Sequence, residues 1–139
     1  LARGLLDAVT LGAIHAKMQG ELAACGGRID AVFFCPHGPD DGCDCRKPAP
    51  GLFRQIAERY GIALDGVPHV GDSLRDLQAG AAAGCGSPHL VLTGKSARLD
   101  AAERAAIAGQ VAGTRVHADL AAFAEALLQT PAADPKPLP

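Results

Sequence analysis

Val67-Pro68-His69-Val70-Gly71-Asp72-Ser73-Leu74-Arg75-Asp76 reads as a strand that turns at once into a helix. The apolar residues before Gly71 predict the strand, and Leu74, Leu77, Ala81 and Ala82 recur at helical spacing after Ser73. Asp72 then stands at the carboxyl end of a strand and Asp76 one helical turn further on, so both carboxylates can face one crevice. The same alternation continues outward in both directions. Downstream, His89-Leu90-Val91-Leu92 predicts a strand, residues 99–107 a helix, 114–117 a short strand and 120–128 a last helix. Upstream, Pro48 and Pro50 open a helix carrying Leu52, Phe53, Ile56, Ala57 and Tyr60 and stopped by Gly61. Ala31-Val32-Phe33-Phe34 predicts a strand buried on both faces, and Leu5, Leu6, Val9, Ile14, Met18, Leu22 and Cys25 form a helical run ended by Gly26-Gly27. Regular alternation of strand and helix predicts an α/β fold with a doubly wound parallel sheet, whose ligands bind at the carboxyl ends of the strands. Residues 1–130 are expected to form one domain, and 131–139, with four prolines, a flexible tail.

Composition narrows the function. In 139 residues, 13 Lys and Arg oppose 15 Asp and Glu, a net charge of -2, and only 4% of residues are aromatic. That balance argues against nucleic-acid binding. No apolar run approaches the roughly 20 residues of a membrane span. Five cysteines, three of them in one segment and without a secretory signal, point to a cytoplasmic protein with a thiolate site.

That segment is Cys35-Pro36-His37, five residues, then Cys43-Asp44-Cys45. Three thiols and an imidazole within residues 35–45 match a tetrahedral zinc site, and Gly38-Pro39-Asp40-Asp41-Gly42 lets the loop reverse. Closed Cys3His coordination leaves no position for water, so such a zinc shapes the loop and hydrolyses nothing. His15, His69, His89 and His117 read as surface or packing residues, and Cys25 and Cys85 as small core residues. Arg46-Lys47-Pro48 follows the last of these ligands directly and precedes a helix, a placement suited to phosphate; taken singly, the two cations would be solvated surface charges. Asp72 admits two readings: a Mg2+ ligand, since hard carboxylate oxygens beside a phosphate suit that ion, or a helix N-cap in a capping-box variant ending at Asp76. Thr93-Gly94-Lys95-Ser96 imitates the end of a phosphate-binding P-loop, but the position that needs Gly holds His89, within a strand, so no nucleotide role is assigned.

Cys-Pro-His, then Cys-Asp-Cys-Arg-Lys-Pro, then Val-Gly-Asp-Ser-Leu-Arg-Asp, in this order, resemble the zinc-bearing phosphatases of the haloacid dehalogenase superfamily. The resemblance is greatest to the D-glycero-D-manno-heptose 1,7-bisphosphate 7-phosphatase family and runs from Ala2-Arg3-Gly4 to Leu92-Thr93-Gly94-Lys95. It implies a haloacid dehalogenase-like Rossmannoid sheet, zinc on Cys35, His37, Cys43 and Cys45, and Mg2+ on Asp72. It also implies that Arg46 recognises a small phosphorylated sugar, Lys47 stabilises the transferring phosphoryl group, Ser73 touches substrate and Asp76 supports the site from behind. Histidinol-phosphate phosphatase shares the zinc loop and is the rival reading; a non-catalytic zinc-binding interaction module is the rival from another class. The superfamily's nucleophile lies in Asp-x-Asp, and these 139 residues contain no such pair. The fold is therefore expected to be incomplete, with the attacking Asp on an upstream segment and the 139 residues inactive alone.

Overall fold

The computed structural model describes Gly4 and residues 6–130 and 136–138. The chain divides into two compact units, Leu1–Cys43 and Asp44–Pro139.

In the first unit, helix α1 spans Ala8–Ala24. It begins there because Asp7 caps it, one carboxylate oxygen accepting the Thr10 amide at 2.7 Å, and that bond holds the Asp7 carboxyl below its ordinary range. The helix ends where the Cys25 and Gly27 amides both turn back to the Leu22 carbonyl, at 3.0 and 2.8 Å. Leu5, part of the expected run, lies outside the described residues. Cys25 is exposed and not a core residue. The strand expected at 31–34 does not form: these residues have no ladder partner among the described residues, and Val32 and Phe34 are 39% and 48% exposed. An apolar run becomes a strand only when a second backbone supplies its hydrogen bonds.

The second unit is α/β. Its helices are α2 (Gly51–Tyr60), α3 (Leu74–Ala82), α4 (Ala101–Gln110) and α5 (Leu120–Leu128), and its strands are β1 (His69–Gly71), β2 (Pro88–Val91) and β3 (Arg115–His117). The strands pair in parallel in the order β1-β2-β3, with Gly71 opposite Leu90 and Leu90 opposite Val116. Parallel neighbours need crossovers, which α3 and α4 supply. Leu77, Leu90 and Val111 form the buried cluster, flanked by Leu74, Leu92 and Ile107. Gly61, at φ +64°, stops α2, and Asp100 with Glu103 closes a reciprocal capping box on α4. Within the expected tail, Lys136–Leu138 lie against the loop after α2: the Ala63 amide donates to the Lys136 carbonyl at 2.8 Å, the Leu138 amide donates to Gly61 at 2.9 Å, and Lys136 pairs with Asp65 at 3.0 Å. The rest of the tail lies outside the described residues. No helix among the described residues is long and apolar enough to cross a membrane.

Inside this unit His89 hydrogen-bonds Ser87 at 3.0 Å and His117 at 2.8 Å, with Phe123 edge-on at 4.8 Å. Burial, followed by the nearby His117, Arg115 and His69, pushes the His89 imidazole down to about 4 from an ordinary 6.5. The folded state therefore binds fewer protons at this group than the unfolded chain. Stability is fully present above 6.5 and is lost as pH falls from there towards 4. Urea midpoints measured between pH 7.5 and 4.5 should decline over that window, and His89→Leu should flatten the decline. A parent profile that is level from 7.5 to 4.5 overturns the assignment.

Candidate active-site crevice and metal-binding loop

Gly71-Asp72-Ser73 leaves the carboxyl end of β1 and enters α3. Gly71 is required there because a Cβ would fall on the Asp76 side chain packed beneath it. Asp76 is only 7% exposed and is held from two sides: Lys47 Nζ lies 2.5 Å from Oδ1, and the Ser73 hydroxyl donates to Oδ2 at 2.7 Å. Burial alone would raise this carboxyl, but the hydrogen bonds from Lys47 and Ser73 and the Lys47 charge outweigh it, and Asp76 sits below its ordinary range. The buried anion thus fixes a half-exposed ammonium beside the start of α3.

Asp72 does not cap α3. Ser73 occupies the N-cap position, and its hydroxyl goes to the Asp76 side chain, not to a backbone amide. Asp72 Oδ2 instead accepts the backbone amide of Lys95 at 2.9 Å, from the 3-10 turn Gly94–Arg98 after β2. A half-buried carboxylate beside a lysine-held anion is a donor of the type Mg2+ takes, so the residues present fit that ion. Arg46 is half-buried, its carbonyl accepting the Ala49 amide at 3.0 Å in the turn that leads into α2.

The sequence-predicted zinc ligands come together. The ligand atoms of Cys35, His37, Cys43 and Cys45 all lie within 4.8 Å of one another. Cys35 Sγ is 3.6 Å from Cys43 Sγ and 3.7 Å from His37 Nδ1. A tetrahedral zinc with bonds of ~2.3 Å to sulfur would separate its sulfurs by about 3.8 Å, so the donor set fits zinc in both chemistry and spacing. The loop between the pairs reverses through Gly42, at φ +63°, and a 2.7 Å bond in which the Gly38 amide donates to Asp41. Cys85, outside this cluster, is half-buried, and burial pushes its thiol up to about 11.

Gly71 and the Gly94-Lys95 turn are the contributors that sequence reasoning missed. The second is visible as Thr-Gly-Lys-Ser, a pattern whose only sequence signal is that of a nucleotide motif.

The profile of the HAD-hydrolase-like family matches residues 44–123. The D-glycero-beta-D-manno-heptose-1,7-bisphosphate 7-phosphatase of Bordetella bronchiseptica is 60% identical over 129 residues, 93% of this chain and 69% of that protein. The protein of the same name from Pseudomonas aeruginosa is 48% identical, over 93% of this chain and 68% of its own length. The crystal structure of D,D-heptose 1,7-bisphosphate phosphatase from B. bronchiseptica, complexed with magnesium and phosphate, superposes with a TM-score of 0.82 at 60% identity, over 91% of this chain and 68% of that one. With its parallel sheet, its Gly-Asp-Ser turn and its Cys/His loop, the chain belongs to the D-glycero-beta-D-manno-heptose-1,7-bisphosphate 7-phosphatase family of the HAD-like hydrolases.

Proposed function

We propose that this chain is the larger part of a Mg2+-dependent phosphatase that removes the 7-phosphate of D-glycero-D-manno-heptose 1,7-bisphosphate in the cytoplasm, with no nucleic-acid or membrane partner. The observation that carries the reading is the Lys47 ammonium held by Asp76, which Ser73 also bonds, next to Asp72 at the start of α3. Residues 1–130 form part of one catalytic domain.

Lys47 binds the phosphoryl oxygens and neutralises charge as the bond to the leaving oxygen breaks. Asp76, kept ionised by Lys47 and Ser73, holds that ammonium in place without moving at the moment of reaction. Ser73 orients the phosphate and Arg46 binds the sugar side of the substrate. Mg2+, when bound on Asp72, supplies further positive charge to the phosphoryl group. The zinc loop fixes the start of the Arg46-Lys47 segment and takes no part in bond breaking. An Asp outside these 139 residues, on a segment upstream of Leu1, attacks phosphorus, and water then hydrolyses the aspartyl-phosphate.

The test compares the 139-residue polypeptide with the completed chain, extended upstream by that segment. The completed chain should release one phosphate from heptose 1,7-bisphosphate with kcat/KM at least 100-fold above that for histidinol phosphate, and the 139 residues alone should release none. Equal or better turnover of histidinol phosphate overturns the substrate, and robust turnover by the 139 residues overturns the upstream nucleophile.

A further inference from the structure

The fold carries Thr93-Gly94-Lys95-Ser96, to which the sequence assigns no nucleotide role, to Asp72, 23 residues earlier in the chain. Parallel pairing sets Gly71 opposite Leu90, so the chain leaving β2 emerges beside the chain leaving β1. The Ser96 hydroxyl, completely buried, donates to the Val91 carbonyl and, at 3.0 Å, to that of Thr93, which pins the turn to the end of β2. The pinned turn presents the Lys95 amide to Asp72 Oδ2 at 2.9 Å. Gly94 lies directly against the same oxygen, at φ +60°; a Cβ there would collide with the carboxylate.

We propose that this turn is a clamp for Asp72: the Lys95 main-chain amide is a positioning group that holds the carboxylate ready for Mg2+, and Gly94 is the residue that leaves it room. The inference rests on the reading of Asp72 as a Mg2+ ligand. A free aspartate must give up rotamer freedom when it takes a metal, whereas the amide imposes that loss during folding and so raises affinity. The Lys95 side chain has no part in this, because the amide belongs to the backbone. Lys95→Ala keeps the donor and Lys95→Pro removes it, at a position where a short helix has no internal use for that N–H.

Mg2+ binding to the completed chain, measured by isothermal titration calorimetry, separates the cases. Lys95→Ala should bind like the parent. Lys95→Pro should bind about tenfold more weakly, the usual scale for losing one hydrogen bond to a charged group, and Gly94→Ala at least as weakly. In the unsubstituted protein the Lys95 amide proton resonance should shift on adding Mg2+, and the shift should be absent from Asp72→Asn. This second measurement does not depend on whether the turn variants fold. If Asp72→Asn binds Mg2+ like the parent, the ligand reading itself fails. If Asp72→Asn weakens binding while Lys95→Pro matches the parent, or the Lys95 resonance stays still, the clamp alone is overturned.

Discussion

Lys47→Ala in the completed chain should lower kcat by about 10²- to 10³-fold, the scale for losing one preorganised group that stabilises developing charge. The loss should be the same at every Mg2+ concentration, because in the proposed role Lys47 acts on phosphoryl oxygens and not on the metal. Asp76 adds to the effect. With the ammonium gone, burial is opposed only by Ser73 and a weaker contribution from Asp72, so the Asp76 carboxyl rises. Asp72→Asn provides the contrast: it weakens the proposed Mg2+ ligand, so its activity should recover in part at high Mg2+. Initial rates measured across a Mg2+ titration distinguish the two variants. Lys47→Ala turning over within threefold of the parent removes Lys47 from the chemistry, and a full recovery at high Mg2+ reassigns it to metal binding.

Cys43→Ser combined with Cys45→Ser should reduce bound zinc from one per chain to none and abolish turnover with it. Residues 35–45 offer little apolar burial: among the four candidate ligands only Cys45 is buried. On the proposed zinc reading the metal supplies their order, and structural zinc sites typically contribute about 10 kcal/mol or more to the folding of the segment that binds them. Lys47 stands two residues after Cys45, so releasing the loop frees the start of the segment that holds the ammonium against Asp76. Chelation of the parent should have the same effect, reversed by adding zinc. The measurements are zinc content by elemental analysis and turnover before and after chelation. Zinc content unchanged in the double variant sinks the ligand assignment, and turnover unchanged after complete zinc removal sinks its coupling to Lys47.

Much of the second unit was legible in the residues because its signals are local. Leu120–Leu128 forms the helix its apolar spacing predicts, and Gly61 ends α2 at a positive φ that glycine adopts without strain. The 99–107 helix starts slightly later than its apolar residues predict, since Asp100 and Glu103 form its capping box. The clustering of Cys35, His37, Cys43 and Cys45 was legible for a related reason. The four donors lie within one short loop, and a chain that reverses once brings them within reach of one another.

Tertiary structure decided whatever depends on a second segment of backbone. Residues 31–34 are apolar, but a strand is a property of a pair, and no partner pairs with them among the described residues. Ser73 and Asp72 are adjacent and both are good N-caps, so sequence alone left the cap open. The fold assigned it to Ser73 because the Lys95 amide, brought across by the β1-β2 pairing, already holds the Asp72 carboxylate. The spacing of Asp76 from Asp72 placed its carboxylate toward the crevice but named no partner for it. Its role as the buried anion under Lys47 follows from a contact across 29 positions. Helical periodicity, turn chemistry and ligand spacing act over a few residues and are written in the sequence itself. The partner of a carboxylate is chosen by which strands pair, and that is settled only when the sheet forms.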